Sequence, residues 1–260
     1  MRQDLLARQL RELPFFRATL RAVESRFLTS ADLPEPTLDV GAGDGHFASV
    51  TFDHVLAVGL DPDLSSLREA QGRNAYRILV QADGARMPHP DGHFASALSN
   101  SVLEHIPSLD QVLAETGRVL RSGAPFVFTV PNPGYRDKLS LPRWLSKIGL
   151  SKLGEAYRGW FMRMSRTWNL LDEEDWQRKL NAAGFDLESS QRYFSPEALR
   201  ALEWGHYFGV PSLIVRWLTG RWILVPTAWN LSLTDRAVRR YFEEEPSDNG
   251  TYTYFRARKR

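Results

Sequence analysis

Apolar residues at Leu6, Leu10, Leu13, Leu20, Val23 and Phe27 recur at intervals of three, four or seven, which lays one face of a helix against a core. The spacing predicts helix over the first segment, broken near Pro14, whose ring removes a donor from the helical ladder. A Pro-rich loop, Leu33 to Pro36, then leads to a short apolar run, Leu38 to Val40, that stops at Gly41-Ala42-Gly43-Asp44-Gly45. Further runs follow at Val55 to Leu60, Tyr76 to Ala82, Phe94 to Leu98 and Ala124 to Val130, and helical patterns cover Leu64 to Gln71 and Leu109 to Leu120. A helix capped by Asp172 and ended by Gly184 precedes two more strands, Phe185 to Phe194 and Thr251 to Arg258. Strands alternating with helices at this spacing predict an α/β fold: a doubly wound parallel sheet covered on both faces.

Two stretches break the rhythm. From Gly134 to Leu171, eight Lys/Arg stand against two acids, interleaved with Tyr135, Trp144, Tyr157, Trp160, Phe161 and Trp168. Between the last two strands lie more than fifty residues, far more than a hairpin needs. The expected organisation is an N-terminal helical lid over 1–30 and one core domain over 31–260, with insertions at 134–169 and 195–250 above the active face. Within the second insertion, Gly209 to Leu233 carries only Arg216 and Arg221 as charges, with Trp217, Trp222 and Trp229 among aliphatics. It reads either as a buried pair of lid helices or as a peripheral membrane contact, and two arginines and two prolines argue against a span.

At 260 residues the chain suits one α/β domain with insertions. A net charge of +2 disfavours a nucleic-acid surface. The absence of cysteine excludes disulfides, thiolate metal ligands and a cysteine nucleophile. No His or carboxylate spacing suggests a metal site. The first 28 residues lack the apolar stretch of a secretory signal, which points to the cytoplasm.

The chemistry gathers at strand ends. A glycine loop between strand and helix lets ligand atoms reach the backbone, but His46 stands where a dinucleotide fingerprint wants its third glycine. Asp39 beside the loop, Asp61 after the second strand and Asp83 after the third would converge on one crevice. A carboxylate at Asp61 suits two ribose hydroxyls, and one at Asp83 suits the adenine amine, so the acids outline an adenosine.

Four segments, LDVGAGDGHFA at 38 to 48, VGLDPD at 58 to 63, QADGARMPHPDGHFASALSNSVLEHI at 81 to 106 and LRSGAPFVFTVPNP at 120 to 133, carry a resemblance. Over roughly residues 37 to 133 the chain resembles class I S-adenosylmethionine-dependent methyltransferases of the small-molecule type, including the ubiquinone/menaquinone methylases. The resemblance implies a Rossmann-like sheet of seven strands with the last antiparallel, and S-adenosylmethionine as cofactor. It also implies roles: Asp39, Gly41, Gly43 and Gly45 for the methionine end, Asp61 for the ribose, Asp83 with Gly84 for the adenine, and Ser99 or Asn100 for the methionine amine. His105 lies where related enzymes place residues facing the acceptor, as a candidate base, with packing at a helix start as the plainer alternative. The acceptor would be a small molecule or lipid-like compound, its polar or anionic head on basic residues of the first insertion and its apolar body on the Trp-rich surface of the second. An NAD(P)-dependent oxidoreductase and a non-catalytic S-adenosylmethionine-binding protein are the alternatives, separable by binding and turnover.

Overall fold

The apolar runs become the strands of a single seven-stranded sheet: β1 (Thr37–Val40), β2 (Leu56–Asp61), β3 (Tyr76–Gln81), β4 (Ser96–Asn100), β5 (Pro125–Pro131), β6 (Phe185–Tyr193) and β7 (Tyr252–Lys259). The structure, a computed structural model, describes residues 4–260, without the side chains of Val210 and Pro211; residues 1–3 of the expected 1–30 lid lie outside the described residues. The spatial order is β3-β2-β1-β4-β5-β7-β6. The first five strands pair in parallel, and β7 runs antiparallel to both β5 and β6, so the last strand is the reversed one, as the family resemblance implied. The fourth strand begins two residues later than its apolar run, because Phe94 bridges Leu120 while the β1 ladder starts at Ser96 opposite Thr37.

β1, β4 and β5 are buried along their whole length, which is why they read as continuous apolar runs rather than alternating ones. Along β5 the side chains still alternate between faces: Phe126 and Phe128 pack with Trp176 and Phe255, while Val127 joins the opposite cluster of Leu98, Tyr252 and Tyr254. Helices α1 (Leu5–Leu10) and α2 (Phe15–Ser30) flank the break at Pro14, which caps α2. Helices α3 (His46–Thr51), α4 (Leu64–Gln71) and α5 (Leu109–Val119) connect the parallel strands. Residues 133–164 form α6 (Pro133–Asp137), α7 (Ser140–Lys147) and α8 (Ser151–Met164). Helix α9 (Glu173–Ala182) starts at Asp172, whose carboxylate caps the Asp175 amide, and Gly184 follows its end at φ +83. Between β6 and β7 come α10 (Pro196–Phe208), α11 (Val210–Thr219) and α12 (Ala228–Phe242). α12 rests on the N-terminal helices through Leu6, Leu10, Ala22 and Val238.

β1 has β2 on one side and β4 on the other, and the connections leaving β1 and β4 depart in opposite directions. Such a switch point opens a crevice at the carboxyl ends of the strands, and the glycine loop follows β1 there.

Candidate active site

A cavity of about 920 Å³ occupies this crevice. Its floor is the loop from Gly41 to Asp44, one wall is Asp61 and the Asp83-Gly84 pair, and the other wall is Asn100, Ser101 and His105. Of the residues singled out from sequence, Gly41, Gly43, Asp61, Asp83, Gly84, Asn100 and His105 thus line one space. Asp39, Gly45 and Ser99 stand behind it. Asp39 is buried and accepts the Tyr76 hydroxyl at 2.6 Å, Gly45 faces Ala70 and Tyr76, and the Ser99 hydroxyl donates to the Val40 carbonyl at 2.8 Å.

Two glycines are demanded by the loop. At Gly41, with φ +86, a Cβ would lie 2.4 Å from Val102 Cγ1, so the residue is tied to packing. At Gly43, with φ +53, a Cβ would meet nothing within 4 Å. The space beside the Gly43 backbone belongs to the cavity, and a ligand can approach the chain there.

Asp61 fixes the loop's shape. Its Oδ2 accepts the Gly43 amide at 2.9 Å and its Oδ1 accepts the Asp63 amide at 2.8 Å. Each oxygen keeps a further lone pair for a ligand hydroxyl, since an ionised carboxylate offers about four acceptor sites. Asp83 Oδ1 holds the Ala85 amide at 2.9 Å and leaves the other oxygen for the cavity.

The sequence did not reveal the arginines of this lining. Arg17 and Arg21 reach the cavity from α2, Arg166 from the segment after α8, and Arg216 from α11. Arg21 is paired with Glu24 at 2.8 Å. Arg17, Arg166 and Arg216 form no ion pair among the described residues, and Arg17 and Arg216 instead stack on Trp222. Acids therefore line the β2 and β3 side, while the side facing His105 is cationic. A basic residue at helical spacing looks like a solvated face in sequence, and only the fold brings these three together.

Glu24 is the second feature not foreseen. It is fully buried on α2, with Asn100 Nδ2 donating to its Oε2 at 2.9 Å and the Ser101 hydroxyl donating to its Oε1 at 2.6 Å. Ser101 sits in the left-handed region at φ +50, an unfavourable conformation for a side-chain-bearing residue that these bonds hold in place. A signal was present: Glu24 follows Leu20 by four residues on the apolar face of its helix.

His105 lies on a single helical turn, Leu103–His105, anchored by Asn169, whose amide side chain donates to the Leu103 and Ile106 carbonyls. Its Nδ1 is 2.9 Å from the Arg166 carbonyl, which can only accept, so Nδ1 carries the proton and Nε2 is the basic nitrogen. Burial lowers its pKa, which keeps the ring neutral. Glu104 beside it is buried with Oε2 lacking a partner, and burial pushes its carboxyl up to about 8. Burial likewise raises Asp39 to about 7, against the lowering effect of the Tyr76 bond. Ser101, His105, Arg17 and Arg21 also line a smaller cavity of about 240 Å³, together with Glu104 and Tyr252.

These two acids set a pH dependence. A carboxyl whose pKa rises on folding binds more protons folded than unfolded, so its stabilising share is complete below the unfolded value and is lost as pH rises through the folded one. Stability should therefore fall between about pH 5 and pH 8, and Glu104→Gln should flatten the upper part of that decline in denaturant midpoints measured across the range.

The comparisons with known proteins bear on this geometry. Residues 38–128 match the methyltransferase domain family. The chain is 30% identical over 138 residues to a malonyl-[acyl-carrier protein] O-methyltransferase of Pseudescherichia vulneris, covering 48% of this chain and 55% of that one. It is 33% identical over 112 residues to a fatty-acid O-methyltransferase of Mycolicibacterium smegmatis, covering 41% and 39%. The chain thus spans about half the length of the curated relatives it matches, or less. Among solved structures, an S-adenosylmethionine-dependent methyltransferase of Thermotoga maritima superposes over 95% of this chain and 91% of its own, with a TM-score of 0.56 at 16% identity. The chain has the Rossmann-like fold of class I S-adenosylmethionine-dependent methyltransferases.

Proposed function

We propose that the chain is an S-adenosylmethionine-dependent methyltransferase that acts on a small-molecule or lipid-like acceptor bearing an acidic oxygen. The observation that carries this reading is the sorted cavity, with acids and an open glycine loop on one side and unpaired arginines beside a neutral histidine on the other. The space a Cβ would fill at Gly43 and the free lone pairs of Asp61 fit the cofactor. Asp61 would hold the ribose hydroxyls, Asp83 and Gly84 the adenine, and the backbone about Gly41, Gly43 and Asn100 the methionine end. The cofactor, when bound, supplies a methyl group already activated on a sulfonium.

The chain's own task is then to position an acceptor and exclude water. Arg17, Arg166 and Arg216 would stabilise the negative charge of the acceptor oxygen, and His105 Nε2 would take its proton where it arrives as O–H. The similarity to a malonyl-[acyl-carrier protein] O-methyltransferase and a fatty-acid O-methyltransferase supports an oxygen acceptor.

The test is transfer of labelled methyl to a panel of apolar carboxylic acids and hydroxyl compounds, with calorimetry of S-adenosylmethionine and of NAD. Labelled product and binding of the first cofactor alone are expected; NAD binding without methyl transfer would favour an oxidoreductase. Arg17→Gln should raise the KM for an acidic acceptor about tenfold, the worth of one charge-assisted bond, while S-adenosylmethionine affinity stays put. Loss of cofactor affinity instead would assign Arg17 to the cofactor carboxylate.

A further inference from the structure

The run from Gly209 to Leu233 is not a buried lid pair. None of the described side chains of α11 is buried, and Leu213, Ile214, Trp217 and Leu218 form one stripe, spaced i, i+1, i+4 and i+5. Trp217 is 84% exposed. Trp229 at the start of α12 is 85% exposed, with Leu233 a turn further on, and neither Trp217 nor Trp229 is among the residues lining the cavity. Two successive helices and the exposed Leu224 and Val225 between them thus present large apolar side chains to solvent, and exposed apolar surface on this scale needs an occupant.

We propose that this surface docks on a lipid bilayer carrying anionic headgroups. The charge pattern selects that occupant. Between Gly209 and Thr234 there is no acidic residue, and Arg221 is exposed and forms no ion pair among the described residues. On α12, Arg236 lies on the same face as Trp229 and Leu233, also exposed and without an ion pair among the described residues, so the helix face passes from apolar to basic along its axis. Tryptophan, with an apolar body and one N–H, suits the boundary between acyl chains and headgroups. A twofold contact with a second copy would lay the patch on itself and bring unpaired arginines together with no carboxylate inside it. α11 has 10 residues, and no helix among the described residues is long and apolar enough to cross a membrane, so the contact lies in the interface plane.

The placement has a consequence for the site. Arg216 projects from the side of α11 opposite the stripe and lines the cavity. Docking would lay α11 between the bilayer and the cavity, with Arg216 on the cavity side. The use of that placement for catalysis, though not the docking itself, rests on the proposed lipid-like acceptor.

The experiment is flotation of the full chain with phosphatidylcholine vesicles, with and without phosphatidylglycerol, at low and high salt. Binding to the anionic vesicles that weakens with salt is expected. The double variant Trp217→Glu/Trp229→Glu, altered only at exposed positions, should lose at least about tenfold in partitioning and keep its S-adenosylmethionine affinity. Failure of the wild type to bind either vesicle, or equal binding by the variant, would overturn the proposal. So would a wild-type dimer in sedimentation that the variant loses, which would assign the patch to a second copy. Vesicle binding by a wild type that fails to bind S-adenosylmethionine would uphold the surface and sink the methyltransferase reading instead.

Discussion

Asp61→Ala should weaken S-adenosylmethionine binding by about tenfold to a hundredfold in calorimetry, while the fold survives. Two losses combine. The Gly43 and Asp63 amides lose the carboxylate that accepts them at 2.9 and 2.8 Å, so the loop that shapes the cavity floor is released. The ligand diol loses a charged acceptor, and hydrogen bonds to charged groups contribute about 1.5 to 3 kcal/mol each. Asp61 is only half-buried and sits at the end of β2, so its removal leaves no deep void. Asp61→Asn keeps one acceptor oxygen and should fall between the two. An unchanged affinity in both variants would remove Asp61 from the cofactor site.

That prediction draws on a part of the site legible in sequence. Asp61 and Asp83 could be read because an acid just past an apolar run has its position set by local structure: the strand ends, and the crevice at the sheet's switch point lies at that edge. The glycine loop was legible for the same reason, since Gly41 and Gly43 take left-handed φ values that few other residues tolerate. Asp39 shows the limit. Its place at a strand end was readable, but whether it faced the cavity or the interior depended on Tyr76, contributed by β3. The arginine wall depended on still longer connections, with Arg17, Arg166 and Arg216 coming from three separate segments. α11 failed in the other direction. Its apolar composition suggested burial, yet among the described residues no element covers the stripe of Leu213, Ile214, Trp217 and Leu218.

Glu24→Ala should cost about 3–5 kcal/mol of unfolding free energy, as removal of one partner from a buried ion pair does. The Glu24 side chain has no exposure, whereas Arg21 keeps about a quarter of its own. Deleting the carboxylate would leave the buried Asn100 amide and Ser101 hydroxyl without their acceptor, and Arg21 without its partner. The same four groups tie α2 to the end of β4, so the loss should also loosen the wall made by Asn100, Ser101 and His105 and lower cofactor affinity. Glu24→Gln retains an acceptor oxygen for one donor and should cost less, so it reports the same loss if the alanine variant does not fold. Denaturant midpoints of both variants measure the effect. A loss below about 1 kcal/mol for Glu24→Ala would put this pair among exposed salt bridges and mean that the N-terminal helix is held by its apolar face, through Phe16, Leu20 and Val23, rather than by the buried carboxylate.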